Sequence, residues 1–182
     1  MPAIRKSNPR VILVLGGARS GKSRYAQQLA ERSWRHPCYL ATSEILDDEM
    51  ADRVRLHRSK RGRRWGCIEE PLEVARAIGR RTKGGDGLLL DCITLWLSNV
   101  MLKEGVDAVP LRKAELRKAL RATRRPVILV SNEVGMGIVP ENALARQFRD
   151  QAGWLNQELA EDAGTVVFVA AGIPLVLKGK AP

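Results

Sequence analysis

Eight consecutive residues near the amino terminus have the types and spacing of a phosphate-binding loop. The segment GGARSGKS fits the pattern G-x-x-x-x-G-K-[ST]. Glycines let the backbone curl with its N–H groups around phosphate oxygens, the lysine reaches the β- and γ-phosphates, and the last hydroxyl is suited to hold Mg²⁺. These residues therefore predict binding of a nucleoside triphosphate, with Lys22 as a catalytic cation and Ser23 as a metal residue: Gly16, Gly17, Ala18, Arg19, Ser20, Gly21, Lys22 and Ser23.

The elements around this loop are those that a phosphate loop requires. Residues 11–15 form an apolar run typical of a strand, and residues 22–33 predict a helix whose dipole favours phosphate. Beyond them, short apolar runs alternate with helical patterns, which indicates an α/β fold with a mainly parallel sheet flanked by helices. We predict further strands at residues 38–41, 65–68, 87–91, 127–131 and 165–170, and helices at residues 47–60, 71–81, 93–102, 111–123 and 140–163. Residues 11–182 would form a single P-loop domain behind a polar leader at residues 1–10.

Polar residues follow several of the predicted strands. Ligands of parallel sheets bind at the carboxyl ends of the strands, where Thr42, Ser43 and Asp91 lie. An acidic residue after an apolar run can hold the water shell of Mg²⁺ beside Ser23, so Asp91 is the predicted metal residue. A helix-capping role is the alternative for Asp91. Glu133 is a second metal candidate, or a contact to the non-nucleotide substrate.

A glycine-rich stretch, GMGIVP at residues 135–140, follows the fifth predicted strand. It contains too much glycine for a helix and ends with a proline at a position suited to a first helical turn. One interpretation is a loop that faces the ligand-binding end of the sheet. A plain connector between strand and helix is an equal alternative.

Composition limits the class of protein. The chain has 182 residues, 45% of them hydrophobic, which suits one well-buried domain. No apolar run approaches the ~20 residues of a bilayer-spanning helix, and the amino terminus is too short and polar for a signal peptide. We therefore expect a cytoplasmic protein without an integral membrane segment. Cys38, Cys67 and Cys92 lack metal or disulfide spacing and are interpreted as small buried residues.

The net charge of +11 raises the question of a nucleic-acid partner. One basic run, at residues 112–125, lies on an amphipathic pattern and is interpreted as a solvated helix face. The other run, at residues 53–64, surrounds His57. Because a site for triphosphates also needs positive charge and the chain has no recognisable nucleic-acid module, we predict no nucleic-acid partner.

His57 is the residue with the second kind of chemistry. A histidine near a helix end is ordinarily a partner of the helix dipole. Here the cations Arg53, Arg58 and Arg61 would disfavour its protonation. A neutral imidazole would then be a nucleophile, with cations beside it to bind a phosphoryl oxygen. The residues alone leave both interpretations open.

Four segments together resemble the bifunctional adenosylcobinamide kinase / adenosylcobinamide-phosphate guanylyltransferase family of cobalamin biosynthesis: GGARSGKS, ATSEILDDEMADRVRLH, LLLDCIT and SNEVGMGIVPENALARQFRDQAGWLNQ. The resemblance covers nearly the whole chain and includes the R-x-x-x-H spacing from Arg53 to His57. It implies a RecA-like P-loop fold, usually a homotrimer, that phosphorylates the aminopropanol side chain of the corrinoid cobinamide with ATP or GTP. The same enzyme then transfers GMP from GTP through a guanylylated histidine and releases pyrophosphate.

On this chain, the resemblance implies that His57 is the guanylylated histidine. It also implies a set of contacts to the guanine nucleotide: Arg58, Ser59, Lys60, Arg61, Glu69 and Asp91. Two other classes explain part of the pattern. A plain small-molecule P-loop kinase leaves the basic setting of His57 unused, and a nucleotide-switched nucleic-acid-binding protein explains the charge alone. Neither accounts for the segment NEVGMGIVPEN.

Overall fold

A computed structural model describes residues 7–43, 62–79 and 85–181. Within these ranges the strands are β1 Asn8–Gly16, β2 Pro37–Ala41, β3 Gly66–Glu69, β4 Gly87–Asp91, β5 Val127–Asn132, β6 Ala163–Ala170 and β7 Ile173–Lys178. The helices are α1 Lys22–Ser33, α2 Val74–Gly79, α3 Ile93–Lys103, α4 Val109–Ala122 and α5 Ala143–Asp162, with a 3-10 turn at Val106–Ala108. The helix predicted at residues 47–60 lies outside the described ranges. None of the described helices combines the length and apolar character needed to cross a bilayer.

The described strands form one sheet in the spatial order β3-β2-β4-β5-β1-β6-β7. The first six strands of this spatial order pair with their neighbours in parallel, and the last strand, β7, is antiparallel to β6. Parallel neighbours need long crossover connections, which the helices supply. The prediction of an α/β fold with a mainly parallel sheet flanked by helices is therefore confirmed.

The central strands of the sheet are buried on both faces. Alternate residues of each strand point to opposite sides, so Leu13 packs among α2 to α5 and Val14 packs beside α1. The same alternation places Leu88 and Leu129 on the first face, with Leu89 on the second. Strands with two buried faces read as continuous apolar runs, which is why most of them can be found in the sequence.

Most element boundaries agree with the prediction, and α1 and β4 agree residue for residue. β1 begins at Asn8, inside the segment predicted as a leader, because the Asn8 side chain donates to Leu120 O (2.9 Å) and Thr123 O (3.0 Å) at the end of α4. α5 begins later than predicted, since Asn142 Oδ1 accepts the Ala145 N–H (3.0 Å) and caps the helix there. The division into leader and domain stays a prediction, because residues 1–6 lie outside the described ranges.

The seventh strand, β7, is not predicted from the sequence. This strand follows β6 through the two-residue turn Ala171–Gly172, whose φ angles are 50° and 81°. Positive φ at both positions is typical of a tight hairpin, but asparagine or aspartate ordinarily takes the first one. Alanine therefore hides the turn. The side chains of Ile173 to Leu177 are exposed, so no alternating core pattern reveals the strand either.

The basic run at residues 112–125 is only partly the solvated face that its pattern predicts: Lys118 and Arg124 are exposed, whereas Arg112 and Arg117 belong to an ion-pair network. Arg112 pairs with Glu73, Glu104 and Glu115. Arg117 pairs with Glu158, Glu161 and Asp162 on α5. Hydrogen bonding to Glu104 and to Asp162 raises the pKa of Arg112 and of Arg117, respectively. These cations join helices to one another, so they are not free for an anionic partner.

Gly87 provides a test of the packing between α1 and the sheet. A Cβ atom at Gly87 would overlap the ring of Trp34, which is buried at the end of α1. We expect Gly87→Ala to lower the free energy of unfolding by about 1–3 kcal/mol, as overpacking does. Urea denaturation followed by circular dichroism measures this change.

Gly153→Ala is the matched control. A Cβ atom at Gly153 would meet nothing within 4 Å, and this glycine lies inside α5. The substitution should raise the free energy of unfolding by up to about 1 kcal/mol through helix propensity. Equal effects of the two substitutions would contradict the packing explanation.

Candidate nucleotide-binding site

The phosphate loop joins the carboxyl end of β1 to the amino end of α1. Gly21, the residue before α1, has a φ of 94°, and Arg19 has a φ of 59°. Glycine adopts positive φ without steric cost, so the chain can turn directly from strand into helix. The first N–H groups of α1 have no partner within the helix, and the helix dipole adds positive potential there. The geometry is that of an anion site.

Gly16 lies where no side chain fits. A Cβ atom there would be 2.5 Å from Val169 O and 2.6 Å from Ser20 Oγ. Gly16 O also accepts the Glu133 N–H at 3.0 Å. The first glycine of the motif therefore lets the loop pack tightly against β6 and the end of β5.

The hairpin turn between β6 and β7 supports the loop from the other side. The Gly172 N–H donates to Ser20 O at 2.8 Å. A Cβ atom on Gly21 would lie 3.2 Å from the Cα of Gly172, so the two backbones are in close contact. The sequence gives no sign of this support, because neither the turn nor β7 has a recognisable local pattern.

Lys22 is held inside the loop. Its side chain is only 8% exposed, and Nζ donates to Gly17 O at 3.1 Å. Burial lowers the pKa of Lys22, while the negative charge of Asp91 opposes this shift. A poorly hydrated cation interacts more strongly with an anion than a fully solvated one. The predicted catalytic cation therefore lies where it can act on phosphate.

The sheet register brings two predicted acidic residues to the same edge. Ala41 pairs with Asp91 on one side and with Glu69 on the other. Asp91 and Glu69 are thus two strand spacings apart, or about 10 Å. Asp91 ends β4, which pairs with β5, and β5 pairs with β1, whose last residue Gly16 begins the phosphate loop. Glu69 is exposed at the end of the edge strand β3.

Thr42 is fully buried, and its polar groups are used within the protein. Its Oγ1 donates to Cys92 O (2.8 Å) and accepts from Cys92 N (3.0 Å). Its carbonyl oxygen accepts from Asn99 Nδ2 at 2.8 Å. In this geometry Thr42 ties the ends of β2 and β4 together and positions Asp91. Ser43, at the next position, is partly exposed and more accessible to a ligand.

Cys92, rather than Asp91, caps α3. The Cys92 Sγ accepts the Leu95 N–H at 3.4 Å, so the helix-capping alternative for Asp91 does not apply. Burial raises the pKa of the Cys92 thiol, and the Asp91 carboxylate adds to this effect. Among the cysteines, Cys38 is buried as expected, but Cys67 is exposed because it lies on the edge strand β3.

Glu133 lies directly beside the phosphate loop. Its N–H donates to Gly16 O, but its carboxylate accepts the Gly135 N–H at 2.7 Å. The side chain therefore supports the start of the glycine-rich stretch at residues 135–140. That stretch begins at the ligand-binding edge, which agrees with the interpretation of a loop that faces this end of the sheet.

A polar network lies behind this edge of the sheet, and its hydrogen bonds are not predicted from the sequence. Asn132 N and Nδ2 donate to Thr94 Oγ1 at 2.9 and 3.0 Å. Ser131 Oγ donates to Asn156 Oδ1 at 2.7 Å, and Asn156 Nδ2 donates to Asn132 O at 3.1 Å. These bonds fix α3 and α5 to the end of β5. The sequence signal for such a network is Asn156, a polar residue on the buried face of α5.

Several predicted site residues lie outside the described ranges: His57, Arg58, Ser59, Lys60 and Arg61. In the part of the chain that the structure describes, no three His, Cys, Asp or Glu residues are grouped to hold a metal ion. A metal held by Ser23, Asp91, phosphate oxygens and water needs no such group.

The loop between β1 and α1, the buried Lys22 and the acidic strand end beside it define a P-loop nucleotide-binding protein. Comparison with known sequences identifies the particular kind. The sequence profile of the family described as "Cobinamide kinase / cobinamide phosphate guanyltransferase" matches residues 12–177. The chain belongs to this family.

Two similar proteins support the assignment to this family. The chain is 43% identical over 168 residues to the bifunctional adenosylcobalamin biosynthesis protein CobP of Pseudomonas aeruginosa, which covers 92% of this chain and 97% of that protein. It is 42% identical over 181 residues to the bifunctional adenosylcobalamin biosynthesis protein CobU of Escherichia coli K12, covering 92% and 99%. Among solved structures, the RadB recombinase has a TM-score of 0.50 and 16% identity, covering 88% of this chain and 74% of that one. This likeness concerns the fold alone and confirms the predicted P-loop fold.

Lys22→Ala tests the site directly. Removal of the buried ammonium should weaken binding of ATP and GTP and lower phosphoryl-transfer turnover by roughly two orders of magnitude or more. Calorimetric titration with each triphosphate and a coupled turnover assay measure the two effects.

Lys118→Ala is the control, because Lys118 is exposed on α4 and the substitution removes the same charge. It should leave both quantities unchanged. Normal turnover in Lys22→Ala would contradict the assignment of the loop.

Proposed function

We propose that this protein phosphorylates adenosylcobinamide with ATP or GTP and then transfers GMP from GTP to the product. The final products are adenosylcobinamide-GDP and pyrophosphate, in cobalamin biosynthesis. The observation that carries the proposal is the buried Lys22 of the phosphate loop, at the edge of the sheet where Asp91 also lies, in a chain that belongs to the cobinamide kinase family. The names of the relatives, which describe bifunctional proteins, support two activities rather than one.

The kinase step uses the described part of the site. The acceptor hydroxyl attacks the γ-phosphorus of the triphosphate, the bond to the β–γ bridging oxygen breaks, and a nucleoside diphosphate leaves. Lys22 and the N–H groups of the phosphate loop stabilise the charge on the transferring group. Ser23 and Asp91 supply the hard oxygen ligands that Mg²⁺ prefers, so both residues fit a metal site. When bound, Mg²⁺ neutralises charge on the β- and γ-phosphates.

The guanylyl step is assigned to His57. Its imidazole attacks the α-phosphorus of GTP, pyrophosphate leaves, and GMP then passes to the phosphate of the corrinoid product. The support for this assignment is the R-x-x-x-H spacing and the basic residues around it. We assign the guanine-nucleotide contacts to Arg58, Ser59, Lys60, Arg61, Glu69 and Asp91 on the same resemblance. Assembly as a homotrimer and a cytoplasmic location belong to the same proposal.

Replacement of the histidine separates the two activities. His57→Ala should abolish guanylyl transfer and leave cobinamide phosphorylation measurable, because γ-phosphoryl transfer uses the phosphate loop. Incubation with α-labelled GTP should label the wild-type protein, and the adduct should survive alkali and be lost in acid, as a phosphoramidate is.

His36→Ala is the control, since His36 is the other histidine in the chain. It should retain the labelled adduct. Label that persists in His57→Ala would show that the nucleophile is a different residue. If the wild-type protein takes up no label, only the kinase activity would remain in the proposal.

Asp91→Asn tests the metal assignment. Loss of the carboxylate charge should raise the Mg²⁺ concentration that gives half-maximal kinase activity. Glu133→Gln should change this concentration little, since the Glu133 carboxylate is bonded to Gly135 N. Titration of kinase activity with Mg²⁺ compares the two variants. The reverse order of effects would transfer the metal role to Glu133.

A further inference from the structure

A group of large apolar side chains is exposed next to the phosphate loop. The glycine-rich stretch at residues 135–140, here called the GMGIVP loop, presents Met136 (80% exposed), Ile138 (97%) and Val139 (56%). Leu144 and Leu102 are also exposed and line a cavity of about 210 Å³ between α3 and α5, next to the loop in the chain. Large apolar side chains exposed together on one short stretch of chain are typical of a binding site.

The GMGIVP loop is anchored at both ends. At its start, the Gly135 N–H donates to the Glu133 carboxylate at 2.7 Å. At its end, Arg146 Nη1 donates to Pro140 O at 3.0 Å and also to Glu141 O. The apolar side chains are therefore presented by a backbone that is fixed on either side, as in a preformed ligand site.

The position of the loop indicates which ligand it serves. The Glu133 N–H donates to Gly16 O in the phosphate loop, and the GMGIVP loop starts two residues after Glu133. In phosphoryl transfer, the acceptor oxygen must approach to roughly 3–3.5 Å from the γ-phosphorus. An acceptor that approaches the phosphate loop beside Glu133 would therefore also approach the GMGIVP loop.

The chemistry of the loop fits a corrinoid better than it fits a nucleotide. Triphosphate is highly charged, and the N–H groups and Lys22 of the phosphate loop already match it. A corrin macrocycle carries methyl groups and amide side chains on its periphery. Apolar side chains match the methyl groups, and the exposed backbone of Gly137 can hydrogen-bond the amides.

We propose that the GMGIVP loop is the platform on which the corrin ring of the acceptor docks, with Met136 and Ile138 as its main apolar contacts. This inference rests on the proposed function. It gives the exposed loop a role in acceptor recognition, separate from nucleotide binding.

The test compares Met136→Ser and Ile138→Ser with the wild-type protein. Each loss of apolar contact should raise the KM for cobinamide roughly tenfold. The ATP dissociation constant should stay unchanged, because neither side chain lies in the phosphate loop. Leu177→Ser is the matched control: Leu177 is 63% exposed, but it lies near the far end of β7. Its KM for cobinamide should equal that of the wild type.

The outcomes distinguish this inference from the proposed function. Wild-type protein that does not phosphorylate cobinamide would overturn both. Active wild-type protein with an unchanged KM in both loop variants would overturn the platform and leave the proposed function in place. Sedimentation velocity adds a third reading: loop variants that dissociate into smaller species would make the loop a contact between subunits and overturn the platform as well.

Discussion

The close packing at Gly16 is the constraint on which the site depends. The phosphate loop must leave β1 directly beneath Val169 O and beside the end of β5, and a Cβ atom at Gly16 would prevent this. The same residue accepts the Glu133 N–H. One glycine thereby sets the position of the loop relative to three adjacent strands. The Gly172–Ser20 hydrogen bond then holds the loop from its outer side.

Charge at this site is governed by burial. Burial lowers the pKa of Lys22, and Asp91 opposes the shift. The Asp91 carboxylate therefore favours the charged form of Lys22 at this edge of the sheet. Thr42 positions Asp91 indirectly, because its hydroxyl hydrogen-bonds the backbone of Cys92, the residue that follows Asp91. Much of the basic run on α4 serves a different purpose, since Arg112 and Arg117 bind acidic residues of neighbouring elements.

The arrangement also explains how one phosphate loop can serve two different transfers. The loop holds the phosphates of a triphosphate whichever phosphorus is attacked. What changes is the nucleophile, which is a substrate hydroxyl for the γ-phosphorus and His57 for the α-phosphorus in the proposed mechanism. The GMGIVP loop begins beside the phosphate loop, so it can bring the acceptor to the site without disturbing the nucleotide contacts.

The sequence by itself determined the phosphate loop, the α/β class and most strand positions. The reason is that these depend on local patterns: a motif of contiguous residues, and strands buried on both faces that read as apolar runs. It could not determine β7, because the alanine at the turn and the exposed side chains give no local pattern. Nor could it show that the Thr42 hydroxyl hydrogen-bonds the backbone of Cys92, or that Arg112 and Arg117 lie in ion pairs. Those roles belong to contacts between residues distant in sequence, and only the tertiary structure brings such residues together.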